Sequence, residues 1–260
     1  MLQGAPISVD HDFVAAVVAV QDISALKAAD DAKNQFLMVL SHELKTPLTS
    51  IIGWAQCAEG APDLAPEALQ TILRNAQEEK VMLERLLILS RILTGRLDLR
   101  PQRMELWQAA TAVIDAVRAV ADAHGVTVGM SPPTEPLPVD ADPALIRRAI
   151  GEVLENAVKF TGTGGTVAVA GIRQGSNAVL EIRDSGRGFA PEEQALLMHP
   201  FQQLHRLEEY GGIGIGLALV KGIVEGHGGQ VHITSPGVGQ GTTVTLTLPL
   251  PDSEGERTDH

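Results

Sequence analysis

His42, Glu43 and Thr46 bring an imidazole, a carboxylate and a hydroxyl within about one helical turn. Around them Leu37, Leu40, Leu44, Leu48, Ile51, Ala55 and Ala58 recur at intervals of three and four, as a packed helical seam requires. At about 100° per residue His42 lies roughly 200° from Leu40, off the seam and toward solvent or a visiting domain. A nucleophile would sit there. Pro47 removes one helical hydrogen bond and predicts a bend just past the histidine. A second group, Glu152, Asn156 and Lys159, falls at i, i+4 and i+7 of another helix, with Val153, Ala157 and Phe160 nearer the core. An amide oxygen there suits Mg²⁺, and an ammonium one turn on suits a phosphate. Asp184 ends a strand and is followed by Gly186 and Gly188, so an acid able to accept from an exocyclic amine precedes backbone that can approach a flat ligand. Gly212, Gly214 and Gly216, with Leu217, open a further helix whose free amides suit phosphates. That cluster lacks the Gly-Lys-Ser/Thr of a Walker A loop and the preceding strand of a Rossmann fingerprint. Taken singly, each group also has a plain reading: a surface histidine, a solvated helix face, an ordinary turn, a glycine-rich loop.

The elements that must position these residues follow from periodicity. Residues 13–21 read as a strand, and a long helix runs from about residue 23 to 58 with the polar stretch 30–35 interrupting its seam. A turn at Gly60, Ala61, Pro62 and Asp63 leads to a second helix over about 67–97, so the two form a hairpin. Both apolar stripes are long, which favours pairing two hairpins into a four-helix dimer; the alternative is a hairpin packed on its own C-terminal domain. After Pro101 the pattern becomes mixed. Helices are expected over 106–124, 143–160 and 216–227, and strands over 126–130, 166–172, 178–184, 231–234 and 242–248, with a proline-rich turn through Pro132, Pro133, Pro136 and Pro138. Strands joined partly by hairpins and interleaved with helices imply an α+β sandwich with helices over one sheet face.

At 260 residues and 44% hydrophobic content the chain can build two ordinary domains. The apolar run at residues 13–20 is too short to span a bilayer, and no basic flank and cleavage site of a signal peptide precedes it, so the segment is expected to be soluble and cytoplasmic. Its single cysteine, Cys57, fits a reducing compartment. The formal net charge of −12 argues against nucleic acid or an anionic membrane surface as the main partner.

In order and spacing the groups resemble the sensor histidine kinases of two-component systems, whose ATP-binding fold is shared with DNA gyrase, a heat-shock chaperone and mismatch-repair ATPases. Residues 41–48 are similar to the family's H box, Glu155 to Phe160 to its N box, and Asp184 to Gly188 to its first glycine box. Pro200-Phe201-Gln202-Gln203 looks like the F box and Gly212 to Leu217 like the second glycine box. The resemblance implies a helical hairpin forming a dimeric four-helix bundle (HisKA type, 22–100), then an α+β sandwich of the GHKL or Bergerat ATP-binding type (HATPase_c, 101–250). Residues 1–21 would be the tail of an upstream, PAS-like sensor domain and 251–260 a polar tail. His42 would be the phosphoacceptor, with Glu43 taking or orienting its proton. Asn156 would hold Mg²⁺, Lys159 the phosphates, and Asp184, helped by Thr242, the adenine amine of ATP. Phe160, Gly186, Gly188, Gly212, Gly214, Gly216 and Leu217 would shape the pocket, under a lid formed by residues 202–211. The phosphoryl group would pass to the receiver domain of a response regulator, and Glu43 with Thr46 matches the pattern for phosphatase activity toward that regulator.

Three departures stand out. Glu152 replaces a common asparagine, at a place where gyrase-like relatives carry a water-activating glutamate. Ile213 replaces a small Thr or Ser, and Glu208 and Glu209 put negative charge in the lid. The rival reading is a pseudokinase scaffold that signals through the helical dimer without phosphotransfer.

Overall fold

The computed structural model describes residues 2–9, 12–20, 24–197 and 214–251. Gly212, Ile213, the Pro200 to Gln203 motif, the expected lid with Glu208 and Glu209, and most of the expected tail lie outside them.

Strands β1 (Leu2–Val9) and β2 (Asp12–Val20) form an antiparallel hairpin, so the single strand expected at the N-terminus has a partner in the residues before it. Helix α1 (Ser24–Gly60) is continuous through Pro47, and α2 (Ala65–Leu93) returns beside it after a 3₁₀ turn at Pro62–Leu64. The second helix stops four residues before the expected end. Gly95, at φ +65°, closes it: its amide donates to Ile92, and Arg96 N donates to the Arg91 carbonyl. A left-handed residue satisfying the last carbonyls overrides the apolar periodicity that continues to Leu97.

The second half is a two-layer sandwich. Helices α3 (Leu106–Ala123) and α4 (Pro143–Phe160), the short α5 (Gln194–Leu197), and α6 (Gly216–Gly226) accompany a five-stranded sheet ordered β4-β6-β7-β9-β8. These strands are β4 (Thr127–Ser131), β6 (Thr166–Gln174), β7 (Asn177–Asp184), β8 (Gln230–Thr234) and β9 (Thr243–Pro249). β4 runs parallel to β6, and every other neighbouring pair is antiparallel. Alternate residues Val167 and Val169, Leu180 and Ile182, and Val244 and Leu246 are buried in one core with Ile150, Val153 and Leu154 of α4, as period-2 strands against a helix layer demand. Two strands were absent from the sequence reading. β3 (Gln102–Glu105) and β5 (Pro138–Ala141) pair antiparallel, and β5 begins at the last proline of the expected turn. Proline can open a strand because the first residue need not donate to the ladder.

α4, which carries Asn156, is anchored at its start. Asp142 Oδ1 accepts from Ala144 N (3.0 Å) and Leu145 N (3.2 Å), and Oδ2 accepts from Arg100 N (3.2 Å). Burial opposes ionisation of Asp142, but these three amides and the nearby His227 outweigh it and hold the carboxyl below its ordinary value. Asp142→Ala is expected to cost about 1–2 kcal/mol of unfolding free energy by denaturant titration. The stabilisation is present above the unfolded-state pKa of the acid and is lost as pH falls through the lower folded value, so parent and variant should converge in acid.

Candidate active site

The H-box turn is open. The His42 side chain is 78% exposed, and its Nδ1 lies 3.5 Å from Glu43 Oε1. In the tautomer that carries its proton on Nδ1, the carboxylate can accept that proton and Nε2 keeps its lone pair. Thr46 Oγ1 donates to the His42 carbonyl (3.1 Å), which holds its hydroxyl on the same stretch of helix. The pattern of one seam and one wet face is observed in part. Leu40 and Leu44 are half-buried, while Leu37 and Leu48 remain exposed in the single chain.

A cleft in the sandwich gathers Asn156, Phe160, Asp184, Gly188, Leu217 and Thr242, all expected from sequence. Its apolar walls come from Val153, Ile182, Phe189, Ile233 and Val244, which the sequence reading did not assign. Their signal is the inward half of the strand alternation, which marks core and cleft wall alike. Asp184 is 8% exposed. Its Oδ1 accepts from Gly186 N (2.8 Å) and Thr242 N (3.1 Å). Burial pushes its carboxyl above the ordinary value, against the pull of those two amides. No described residue donates to Oδ2, so an acceptor is left for a ligand. The half-buried Asn156 amide likewise has no hydrogen-bond partner among the described residues.

Close approach explains the glycines. A Cβ on Gly186 would strike the Phe160 carbonyl, and one on Gly241 would strike the Asp184 carbonyl. Gly241, at φ +79°, was not among the expected site residues, although it precedes Thr242. Phe160 carries two cations on its ring, Arg187 at 4.7 Å and Lys159 at 5.4 Å from the centroid. Gly216 opens α6 beside the N-box helix: a Cβ on it would lie 3.0 Å from Glu152 Oε2 and 3.6 Å from Asn156 Nδ2. Lys159, Gly186, Gly214 and Gly216 are not part of the cleft lining itself.

Glu152, expected on a polar helix face, is 5% exposed. Arg85 of α2 donates from Nε to its Oε1 (2.6 Å), and Arg148 Nε lies 2.9 Å from the same oxygen. Burial pushes the Glu152 carboxyl up, and the two guanidinium groups oppose that shift. Its Oε1 is thus engaged by two guanidinium groups, although burial outweighs them and holds the carboxyl above its ordinary value.

Among the described residues no cluster of His, Cys, Asp or Glu could hold a metal by itself. A divalent ion here would take the Asn156 oxygen together with phosphate oxygens and water, the usual habit of Mg²⁺ beside nucleotides. No described helix is long and apolar enough to cross a membrane.

Residues 32–95 match the His Kinase A (phospho-acceptor) domain, and residues 141–252 match the Histidine kinase-, DNA gyrase B-, and HSP90-like ATPase. The chain belongs to the sensor histidine kinase family. It is 35% identical over 237 residues to the circadian input-output histidine kinase CikA of Synechococcus elongatus, covering 87% of this chain and 31% of that protein. Histidine protein kinase DivJ of Caulobacter vibrioides is 33% identical over 238 residues, with 88% of this chain and 39% of DivJ covered. The chain therefore spans less than half the length of these curated sensor kinase relatives. Among solved structures, full-length ShkA in complex with AMPPNP superposes with a TM-score of 0.65 at 23% identity, over 84% of this chain and 46% of ShkA. That likeness shows the histidine kinase fold, hairpin and sandwich together.

Proposed function

We propose that this chain is the core of a protein histidine kinase, with a hairpin over 22–100 that carries the phosphoacceptor and an ATP-binding domain over 101–250. The observation that carries the reading is the cleft: Asp184, with Oδ2 open, and Asn156, with its amide unpartnered, both among the described residues, line one cavity with apolar walls. Asp184 Oδ2 accepts from the adenine amine, and Ile182 and Val244 pack the ring. Asn156 would hold Mg²⁺, Lys159 would meet the phosphates, and the amides at the Gly214 to Gly216 helix start would add donors. Bound ATP with Mg²⁺ supplies the γ-phosphoryl group. His42 Nε2 would attack the γ-phosphorus in line as the bond to the β,γ-bridging oxygen breaks and ADP leaves, while Glu43 takes the proton from Nδ1, so positioning and charge neutralisation do most of the work.

The exposed stripe of Leu48, Ile52, Leu69, Leu73, Leu83 and Leu87 along the hairpin fits a homodimeric four-helix bundle, since a monomer would leave these side chains in water. A response-regulator receiver domain is the proposed phosphoryl acceptor and an upstream sensor domain the proposed input. The exposed Thr46, one turn beyond His42, supports an additional phosphatase role toward that receiver. Incubation with γ-labelled ATP and Mg²⁺ should give acid-labile, base-stable label that chelation of the metal prevents. Bound nucleotide with no label on the protein would favour the pseudokinase scaffold instead.

A further inference from the structure

We infer that Leu89 of α2 is a positioning residue for the phosphates of the nucleotide: acting through Ile215, it fixes the Gly214 to Gly216 turn, so that the hairpin takes part in nucleotide binding. The inference rests on the kinase reading above and adds to it what holds the phosphate-binding turn in place.

Helix α6 and the residue before it present two stripes. Leu217, Val220, Ile223 and Val224 join the core of the sandwich. Ile215, Ala218 and Leu219 belong instead to a separate small core, in which Leu89, 3% exposed, is the only fully buried member from another element among the described residues. Leu40, Met82, Leu86, Ile88 and Ile92 of the hairpin pack against it. Ile215, 4% exposed in that core, stands between two glycines. Gly214 is in the left-handed region at φ +70°, and neither glycine has a side chain to hold its own backbone. The Ile215 carbonyl also accepts from Leu219 N (2.9 Å), so this residue begins the helix. An anchored side chain here therefore sets the direction of the free amides that the helix start offers to phosphate. The anchor is supplied by the hairpin.

The same face of α2 reaches the other half of the phosphate end. Arg85, one turn before Leu89, donates from Nε to Glu152 Oε1 (2.6 Å) and from an NH₂ group to Glu155, the neighbour of Asn156. Glu152 in turn lies over Gly216 at the start of α6, beside Asn156. α2, α4 and α6 thus meet where Asn156 and Gly216 converge. Further along α2, Ile92 fills the space above Gly222 of α6, where any Cβ would strike it. A ligand that needs the Gly214 to Gly216 amides in place binds more tightly when this seam is closed, and by linkage its binding closes the seam. The adenine end has no such dependence, because its hydrogen-bonding groups, Asp184 and Thr242, belong to β7 and to the residue before β9.

Adenosine and ADP separate the two ends. Each is titrated with Mg²⁺ into the whole chain, below the melting temperature of every variant, and followed by amide chemical shifts, which read millimolar affinities. In Leu89→Ala, ADP affinity should fall roughly tenfold or more while adenosine affinity stays at the parent value. Gly222→Ala, which wedges the same seam open from α6 and leaves Leu89 in place, should give the same split. Leu89→Met refills the core and should restore ADP binding. An equal loss for adenosine and ADP in both Leu89→Ala and Gly222→Ala would overturn the inference, because a merely structural role weakens both ligands alike. Parent-like ADP affinity in Leu89→Ala would overturn it as well, and either result leaves the kinase reading standing. A parent chain that binds neither ligand would remove both.

Discussion

Asp184→Asn should weaken nucleotide binding by roughly ten- to hundredfold while leaving the fold intact, since a hydrogen bond to a charged group contributes about 1.5–3 kcal/mol. The asparagine oxygen can still accept from Gly186 N and Thr242 N, the two bonds that Oδ1 makes in the parent. What changes is the open end of the side chain. There Oδ2 is replaced by an NH₂ group, which would confront the adenine amine donor to donor. Titration with a fluorescent ATP analogue checks the affinity, and a melting temperature equal to the parent's checks the fold. Burial raises the Asp184 carboxyl above the ordinary range. The ionised acceptor is therefore lost as pH falls through that raised value, and parent affinity should drop at a higher pH than an unperturbed carboxylate would give. The variant should lack that component of the pH profile. Unchanged affinity in Asp184→Asn would contradict the placement of the base.

Glu43→Gln should slow phosphohistidine formation by about 10²- to 10⁴-fold, the range expected when a positioned general base is removed. The amide oxygen can still orient Nδ1 of His42, which lies 3.5 Å from the carboxylate in the parent. It cannot take the proton. Nucleotide affinity should stay at the parent value, because Glu43 sits on α1 and lines no part of the cleft. Single-turnover labelling separates the two steps, and a parent-like labelling rate would show that Glu43 does not handle the proton.

The exposure of His42 was legible in the sequence because a helix has a short period: a histidine off a regular leucine seam is exposed wherever the seam packs. The place of Asn156 and Asp184 in one cleft was legible through local pattern too, one on an amphipathic helix and the other at a strand end before glycines. The walls of the cleft were not, because Ile182, Ile233 and Val244 follow the same alternation as any core strand residue. Arg85 was beyond reach for a different reason. Its partners lie 67 and 70 residues away in sequence, and nothing near it distinguishes it from other polar residues on α2. The burial of Glu152 followed from the same cause, since local periodicity placed it on a solvated face, whereas Arg85 of the hairpin and Gly216 at the start of α6, both distant in sequence, lie against it. β3 and β5 escaped because each is four residues long and pairs only with the other, leaving no alternation long enough to read.

The central claim is that the phosphoryl group of ATP arrives on His42 and on no other of the eight histidines in the chain. Mapping γ-labelled phosphate to peptides under alkaline conditions, in parent and His42→Gln chains, tests it most directly. The account predicts acid-labile label confined to the peptide that carries His42 and none on the substituted chain. Label persisting in His42→Gln, or bound ATP with no phosphohistidine on the parent, would contradict it.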